Sequence, residues 1–179
     1  MKWTVLTLAL GLASSTAFAA DESGQINFYG TVYAGGTCPI EVVNPGGSVI
    51  PRVTLGNFTT KYFSKVGVST PEVSFALRVT PDTTCIIPPN SKASITFTPL
   101  HGSVGTDLYA IRQGGASGLG MSIKDELRAK ITPGTASKDY DLYDNRPTDL
   151  RFYAAYESYQ ASVGDGLAEA EVSFVVSLP

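Results

Sequence analysis

The stretch that most constrains the fold lies at the end of the chain. From Ala168 to Leu178 the residues alternate: Ala168, Ala170, Val172, Phe174, Val176 and Leu178 share one parity, and Glu169, Glu171, Ser173, Val175 and Ser177 the other. A two-residue period with one apolar and one mostly polar set specifies a half-buried β-strand, because successive side chains of a strand point to opposite faces. The chain must therefore build a sheet with a covered face. A bare apolar edge templates pairing with other chains, so this strand is either protected by earlier strands or has an edge in use. The rest of the chain reads as a scaffold that presents it.

Alternating runs recur upstream. Between Gly24 and Val32, Ile26, Phe28, Gly30 and Val32 take one side and Asn27, Tyr29 and Thr31 the other. Pro39 to Val43 begins a second strand, and Val49 to Leu55 is a third, with Pro51 marking an edge or a bend. Val73, Phe75, Leu77 and Val79 alternate with Ser74, Ala76, Arg78 and Thr80. Further strands are expected at Ala93, Ile95 and Phe97, at Leu108 to Ile111, at Leu119 to Ile123, and at Leu150, Phe152, Ala154 and Tyr156. Asn44-Pro45-Gly46-Gly47, Pro88-Pro89-Asn90 and the glycines from Gly114 to Gly118 supply turns. Gly56 to Ser69 is irregular, tacked to the core by Phe58, Tyr62 and Phe63, and the polar run from Thr132 to Asn145 reads as loop. Lys124 to Lys130 has helical propensity over only two turns and no good cap, so a hairpin or loop is expected there. Eight or nine short strands and no long helix predict an all-β sandwich.

The start of the chain is a different kind of segment. Lys2 precedes a largely apolar run from Trp3 to Ala13, and Ala17-Phe18-Ala19 is a small-x-small cleavage site. The apolar run is too short to anchor the chain in a bilayer, so residues 1–19 read as a secretory signal peptide and the exported chain is expected to begin at Ala20. The 13 Lys and Arg include Lys2, which leaves 12 against 16 acidic residues and a net charge of −4. With no basic run, nucleic acid and anionic membrane surfaces are poor partners. In an exported chain the two cysteines, Cys38 and Cys85, are expected to pair, closing a loop of 46 intervening residues.

Motifs that suggest chemistry fail on their spacing. His101 is the only histidine and has no oriented nucleophile or carboxylate in its motif. Asp139, Asp141, Asp144 and Asn145 miss the calcium-loop pattern, which needs Gly at its sixth position. Gly114 to Gly120 lacks the Lys-Ser or Lys-Thr of a phosphate loop. Two Cys and one His without short ligand spacing do not form a metal site. Asn57-Phe58-Thr59 matches a glycan acceptor sequon, a pattern too short to carry weight. Tyr153, Tyr156 and Tyr159 do not share one parity, as an aromatic platform for a sugar would require. No enzyme activity, metal or cofactor is expected.

Several pieces taken in order are more specific. They are Phe28-Tyr29-Gly30-Thr31-Val32 ahead of Cys38, Val53-Thr54-Leu55-Gly56, the alternating strand before Cys85, Gly118-Leu119-Gly120-Met121-Ser122-Ile123, Phe152-Tyr153-Ala154-Ala155-Tyr156, and the run Ala168 to Val176. In this order and spacing the chain resembles the subunits of chaperone–usher fimbriae, the type 1 pilin family. The resemblance implies an incomplete immunoglobulin-like β-sandwich lacking its last strand. Residues 20–33 would be a donor-strand arm and 34–179 the pilin domain. Val172, Phe174, Val176 and Leu178 would line an acceptor groove. A periplasmic chaperone would first lend a strand to it, and the arm of a neighbouring subunit, through Ile26, Phe28, Gly30 and Val32, would later replace that strand. An outer-membrane usher and other pilin subunits are the remaining implied partners, and a surface fimbrium the destination. Gly30 matches the family's arm glycine. Leu178 stands where the family commonly has an aromatic residue. A single-domain adhesive or carbohydrate-binding fimbrial subunit is the alternative.

Overall fold

The structure, a computed structural model, describes residues 38–178. Its nine strands are β1 (Ile40–Val43), β2 (Val73–Val79), β3 (Lys92–Pro99), β4 (Ser103–Val104), β5 (Leu108–Ala110), β6 (Leu119–Lys124), β7 (Tyr140–Asp141), β8 (Thr148–Ser158) and β9 (Val172–Ser177), with a single 3-10 turn at Thr60–Tyr62. They form two antiparallel sheets, one in the order β1-β2-β8-β6-β5-β4 and one in the order β7-β3-β9. The expected all-β sandwich is what the chain forms.

The alternation of each strand decides which face meets the other sheet. In β2, Phe75 and Leu77 stand opposite Phe152 and Leu150 of β8, and all four point into the core. From the second sheet, Ile95 and Phe97 of β3 point back at them. The centre is aromatic: the Phe97 ring meets Phe152 edge-on with centroids 5.0 Å apart, and Phe75 and Tyr140 pack on Phe152 at 5.6 and 5.4 Å. Each buried aromatic contributes a large apolar area, and the edge-to-face geometry adds to it. Tyr109 is fully buried, and its hydroxyl donates to the Ile131 carbonyl at 3.2 Å.

Where sequence expectation and structure part, long-range pairing is the cause. Val49 to Leu55 is not a strand: Val49 bridges Val43, Ile50 N–H bonds the Val42 carbonyl at 2.8 Å, and the chain then bends at Pro51 and runs on without a ladder partner among the described residues. Residues 132–145 are not all loop, because Tyr140–Asp141 adds to the edge of β3. The final strand is shorter than Ala168 to Leu178. Upstream of β9, Arg112 N–H bonds the Glu169 carbonyl at 2.7 Å, Ala116 N–H bonds that of Leu167 at 3.0 Å, and Gly164 bridges Ser117. This close approach needs glycine: a Cβ on Gly115 would lie 2.1 Å from the Leu167 carbonyl oxygen. Lys124 to Lys130, by contrast, is the hairpin turn expected, closed by a bridge between its ends and held by Asp125, whose Oδ1 accepts the N–H groups of Leu127 and Ala129 at 2.9 Å each. The expected strand from Gly24 to Val32 lies outside the described residues.

Gly120 on β6 is a second steric requirement. A Cβ there would come within 2.8 Å of both Leu108 Cβ and Val104 Cγ2, which fold over it from β5 and β4. Gly120→Ala is expected to destabilise by about 1–3 kcal/mol, the usual cost of overpacking a fitted site. A urea midpoint equal to wild type would show that β4 and β5 yield freely.

The turn after β1 is pinned by an ion pair. Arg78 donates from Nε to Asp149 Oδ1 at 2.7 Å and from Nη2 to Oδ2 at 2.9 Å. Asp149 Oδ2 also accepts Gly46 N–H at 2.7 Å, and Arg78 Nη1 donates to the Gly47 carbonyl at 3.0 Å. Hydrogen bonding to Arg78 holds the Asp149 carboxyl below its usual pKa. A depressed carboxyl contributes stability that is complete above its unfolded value and is lost as pH falls through the folded one. Asp149→Asn should therefore cost about 1 kcal/mol at neutral pH. The gap to wild type should narrow between about pH 5 and about pH 2. A gap that stays constant on acidification would remove the carboxylate from the account.

Candidate functional site

The strand that the sequence singles out, β9, lies at the edge of its sheet among the described residues. β9 is hydrogen-bonded to β3 alone among the described residues, so its second edge carries no partner there. Its alternation is as the sequence predicts: Val172, Phe174 and Val176 face inward, Ser173, Val175 and Ser177 outward. Across the ladder Val176 stands opposite Ile95, and Phe174 opposite Phe97. Ile95 and Phe97 are buried at 0% and 3% exposure, whereas Phe174 and Val176 are only half-buried. Two residues directly opposite on the same face normally share one environment, so the cover over the core stops beneath β9.

The other half-buried residues complete the description. Val172, Phe174, Val176 and Leu178 pack against the same core as Ile40 and Val42 of β1 and Ile50 and Val53 of the run after it. Leu55, in that run, is buried. The backbone from Val53 to Phe58 has no ladder partner among the described residues. Val53 and Leu55 thus reach the core from a segment without a ladder, as Val172, Phe174 and Val176 do from an edge strand. Val172, Phe174 and Val176 lie on β9 and Leu178 just beyond it, all packed against the core, while Ile26, Phe28, Gly30 and Val32 lie outside the described residues. Sequence reading did not place Ile40, Val42 and Ile50 on the same core beside them. The signal available was Pro51, which breaks the alternation just where pairing ends.

The approach to β9 is fixed from β8. The Tyr156 side chain faces the core, and its hydroxyl donates to the Ala168 carbonyl. Burial, with a smaller contribution from Glu169, pushes the Tyr156 phenol above its usual pKa, so it keeps its proton at any physiological pH. His101 Nε2 lies 2.5 Å from Glu171 Oε2, and the Leu100 N–H bonds the Glu171 carbonyl at 2.9 Å, which joins the β3 exit to the start of β9. The Tyr153 ring is covered by the Arg128 guanidinium at 3.4 Å. Tyr153 and Tyr156 therefore present no shared platform to a sugar. Cys38 and Cys85 are joined by a disulfide, with Cα atoms 4.7 Å apart, as expected. Among the described residues no group of three His, Cys, Asp or Glu is placed to hold a metal ion.

The fold is an antiparallel β-sandwich with β9 at an edge that has no partner among the described residues. Comparison with known proteins gives its family. The chain belongs to the family described as fimbrial protein, whose model matches residues 26–178, and it is a chaperone–usher fimbrial subunit. It is similar to the fimbrial-like protein FimF of Salmonella typhimurium, 34% identical over 126 residues that span 70% of this chain and 69% of that one. It is also similar to the type 1 fimbrial subunit of Salmonella typhimurium, 26% identical over 94% of this chain and 92% of that one. Among solved structures, the P pilus rod subunit PapA shares the fold with a TM-score of 0.60 at 15% identity, over 79% of this chain and 99% of that one. The family is one of structural, non-enzymatic proteins of surface fimbriae.

Proposed function

We propose that this chain polymerises by donor-strand exchange as a structural subunit of a fimbrium that supports cell adhesion. The observation that carries the reading is the step in burial across the β3–β9 ladder, beside an edge with no partner among the described residues. Residues 1–19 are the export signal, residues 20–33 the arm, and residues 34–179 the accepting domain. During export a periplasmic chaperone covers Val172, Phe174, Val176 and Leu178. At the outer-membrane usher the arm of the next subunit replaces it, adding a strand to the β9 edge. Main-chain hydrogen bonds along that strand hold the polymer, and its inward side chains complete the core.

The test is electrophoretic. Fimbriae assembled from this chain are expected to run as a ladder in SDS without boiling and to collapse to monomer on boiling. A chain that is monomeric before boiling would overturn the proposal, and a monomer that binds a glycan would favour the adhesive alternative.

A further inference from the structure

The outward face of β9 carries one side chain unlike its neighbours. Ser173, Val175 and Ser177 point outward there, and the β3 residues beside them are Thr98, Thr96 and Ser94. Val175 is the one large apolar side chain of the six and is 61% exposed. Single exposed apolar residues are ordinary. This one sits at the middle of the open edge, where a flanking strand would cover it.

The phase of the ladder says how that strand would meet it. Leu100 N–H bonds the Glu171 carbonyl, and Leu100 is the residue opposite Glu171 in the β3–β9 register. In an antiparallel ladder alternate residues bond to the same neighbour, so the odd-numbered residues of β9 bond to β3. The N–H and C=O groups of Val172, Phe174 and Val176 face the open edge. A strand added antiparallel at that edge meets Val175 in a non-hydrogen-bonded pair, with Cα atoms about 4.5 Å apart and side chains at their closest.

From this we infer that Tyr29 of a second copy of the chain lies across Val175 and selects the register of the added strand, an inference that rests on the donor-strand reading above. Four arm residues of inward parity face four groove residues. The antiparallel register that uses all of them sets Ile26 against Leu178, Phe28 against Val176, Gly30 against Phe174 and Val32 against Val172. The glycine falls opposite the largest groove side chain. Sliding by two residues one way carries Ile26 past Leu178 and puts Val32 on Phe174; sliding the other way puts Phe28 on Phe174 and Val32 on Ala170, ahead of β9. In the full-overlap register Tyr29 stands opposite Val175, Asn27 opposite Ser177 and Thr31 opposite Ser173. The aromatic lies over the valine, a favourable cross-strand combination, and polar meets polar on either side. The inward residues favour this register by size, and the outward face reinforces it with one apolar partner for one aromatic.

Cysteine trapping in the full-length chain tests the register. The chain carrying Tyr29→Cys and Val175→Cys is assembled in a host with a chaperone–usher pair, alongside the wild type and the pairs Asn27→Cys/Val175→Cys and Thr31→Cys/Val175→Cys. A pair at this spacing satisfies disulfide geometry. The ladder of the first variant is expected to survive boiling until a reductant is added, while the other three collapse. A boiling-resistant ladder from a control pair, or from no pair, while the wild-type ladder forms normally, overturns the Tyr29–Val175 pairing and leaves donor-strand exchange standing. No ladder from the wild-type chain overturns both. Serine variants give a second reading free of new thiols. Val175→Ser and Tyr29→Ser should each speed loss of the ladder in denaturant by roughly twofold to fivefold, and together no more than either alone. Additive effects would show that the two side chains do not touch.

Discussion

A chain lacking residues 20–32 is expected to form its chaperone complex at wild-type yield and to form no polymer. The proposed groove is bordered by β9, and Ile40, Val42, Ile50 and Val53 pack on the same core; the deletion removes none of them. What the deletion removes is the proposed donor. Burying Ile26, Phe28 and Val32 contributes roughly 1.5–3 kcal/mol each before losses, and main-chain hydrogen bonds slow dissociation further. Without that strand a neighbour's groove has nothing of this chain to accept. Gly30→Leu separates contact from presence. The arm is then intact, but a branched side chain is forced against the groove beside Phe174, at a cost of about 1–3 kcal/mol, and the ladder should fall sharply. Immunoblots of unboiled fimbriae, with chaperone pull-down as the control, read both variants. Undiminished polymer from the deleted chain would remove the arm as donor. Undiminished polymer from Gly30→Leu alone would remove only the tight fit at the glycine.

The sequence was legible where one strand's own pattern decides its place. Val73 to Val79 alternates without interruption, and β2 has those bounds. The inward parity of Val172, Phe174 and Val176 was equally plain, since sliding by one residue would turn all three to solvent. Legibility failed where pairing partners decide. Ala168 and Ala170 continue the alternation of β9, yet the backbone at Leu167 and Glu169 is drawn off to residues 112–116. Two-residue strands such as β4 and β7 carry no periodicity to read, and exist because β5 and β3 offer them an edge. The candidate site was half legible. Its β9 side follows from alternation, but the run after Val53, which carries Leu55 into the core without a ladder partner among the described residues, emerged only from the structure.

Removing the disulfide with Cys38→Ala and Cys85→Ala is expected to lower the stability of the subunit by about 4 kcal/mol, the loop-entropy value for a closure of this length. Domains of this kind are stable by only about 5–15 kcal/mol, so the loss is a large part of the whole. Alanine is the right replacement, because both sulfurs are buried and a serine hydroxyl would add an unsatisfied polar group. The bridge does more than shorten the unfolded chain. β1 has four residues and, among the described residues, pairs in a ladder with β2 only. Its N-terminal end is held by the bridge at Cys38 and by the bond from Thr80 N–H to the Pro39 carbonyl, 3.1 Å. On the far side Asp82 Oδ1 accepts the N–H groups of Thr84 and Cys85 at 2.7 and 2.8 Å, which sets the turn that carries Cys85. Ile40 and Val42, and through them Ile50 and Val53, therefore keep their place over the core by way of the bridge. Loss of the bridge should free β1 before the central β2–β8 pair, and so open the groove ahead of global unfolding. The double alanine variant should show a lower urea midpoint, lower chaperone-complex yield, and earlier hydrogen exchange at Val42 and Ile50 than at Leu77 and Leu150. An unchanged midpoint would reduce the bridge to a redundant tether. A lower midpoint with uniform exchange would confine its effect to the unfolded chain.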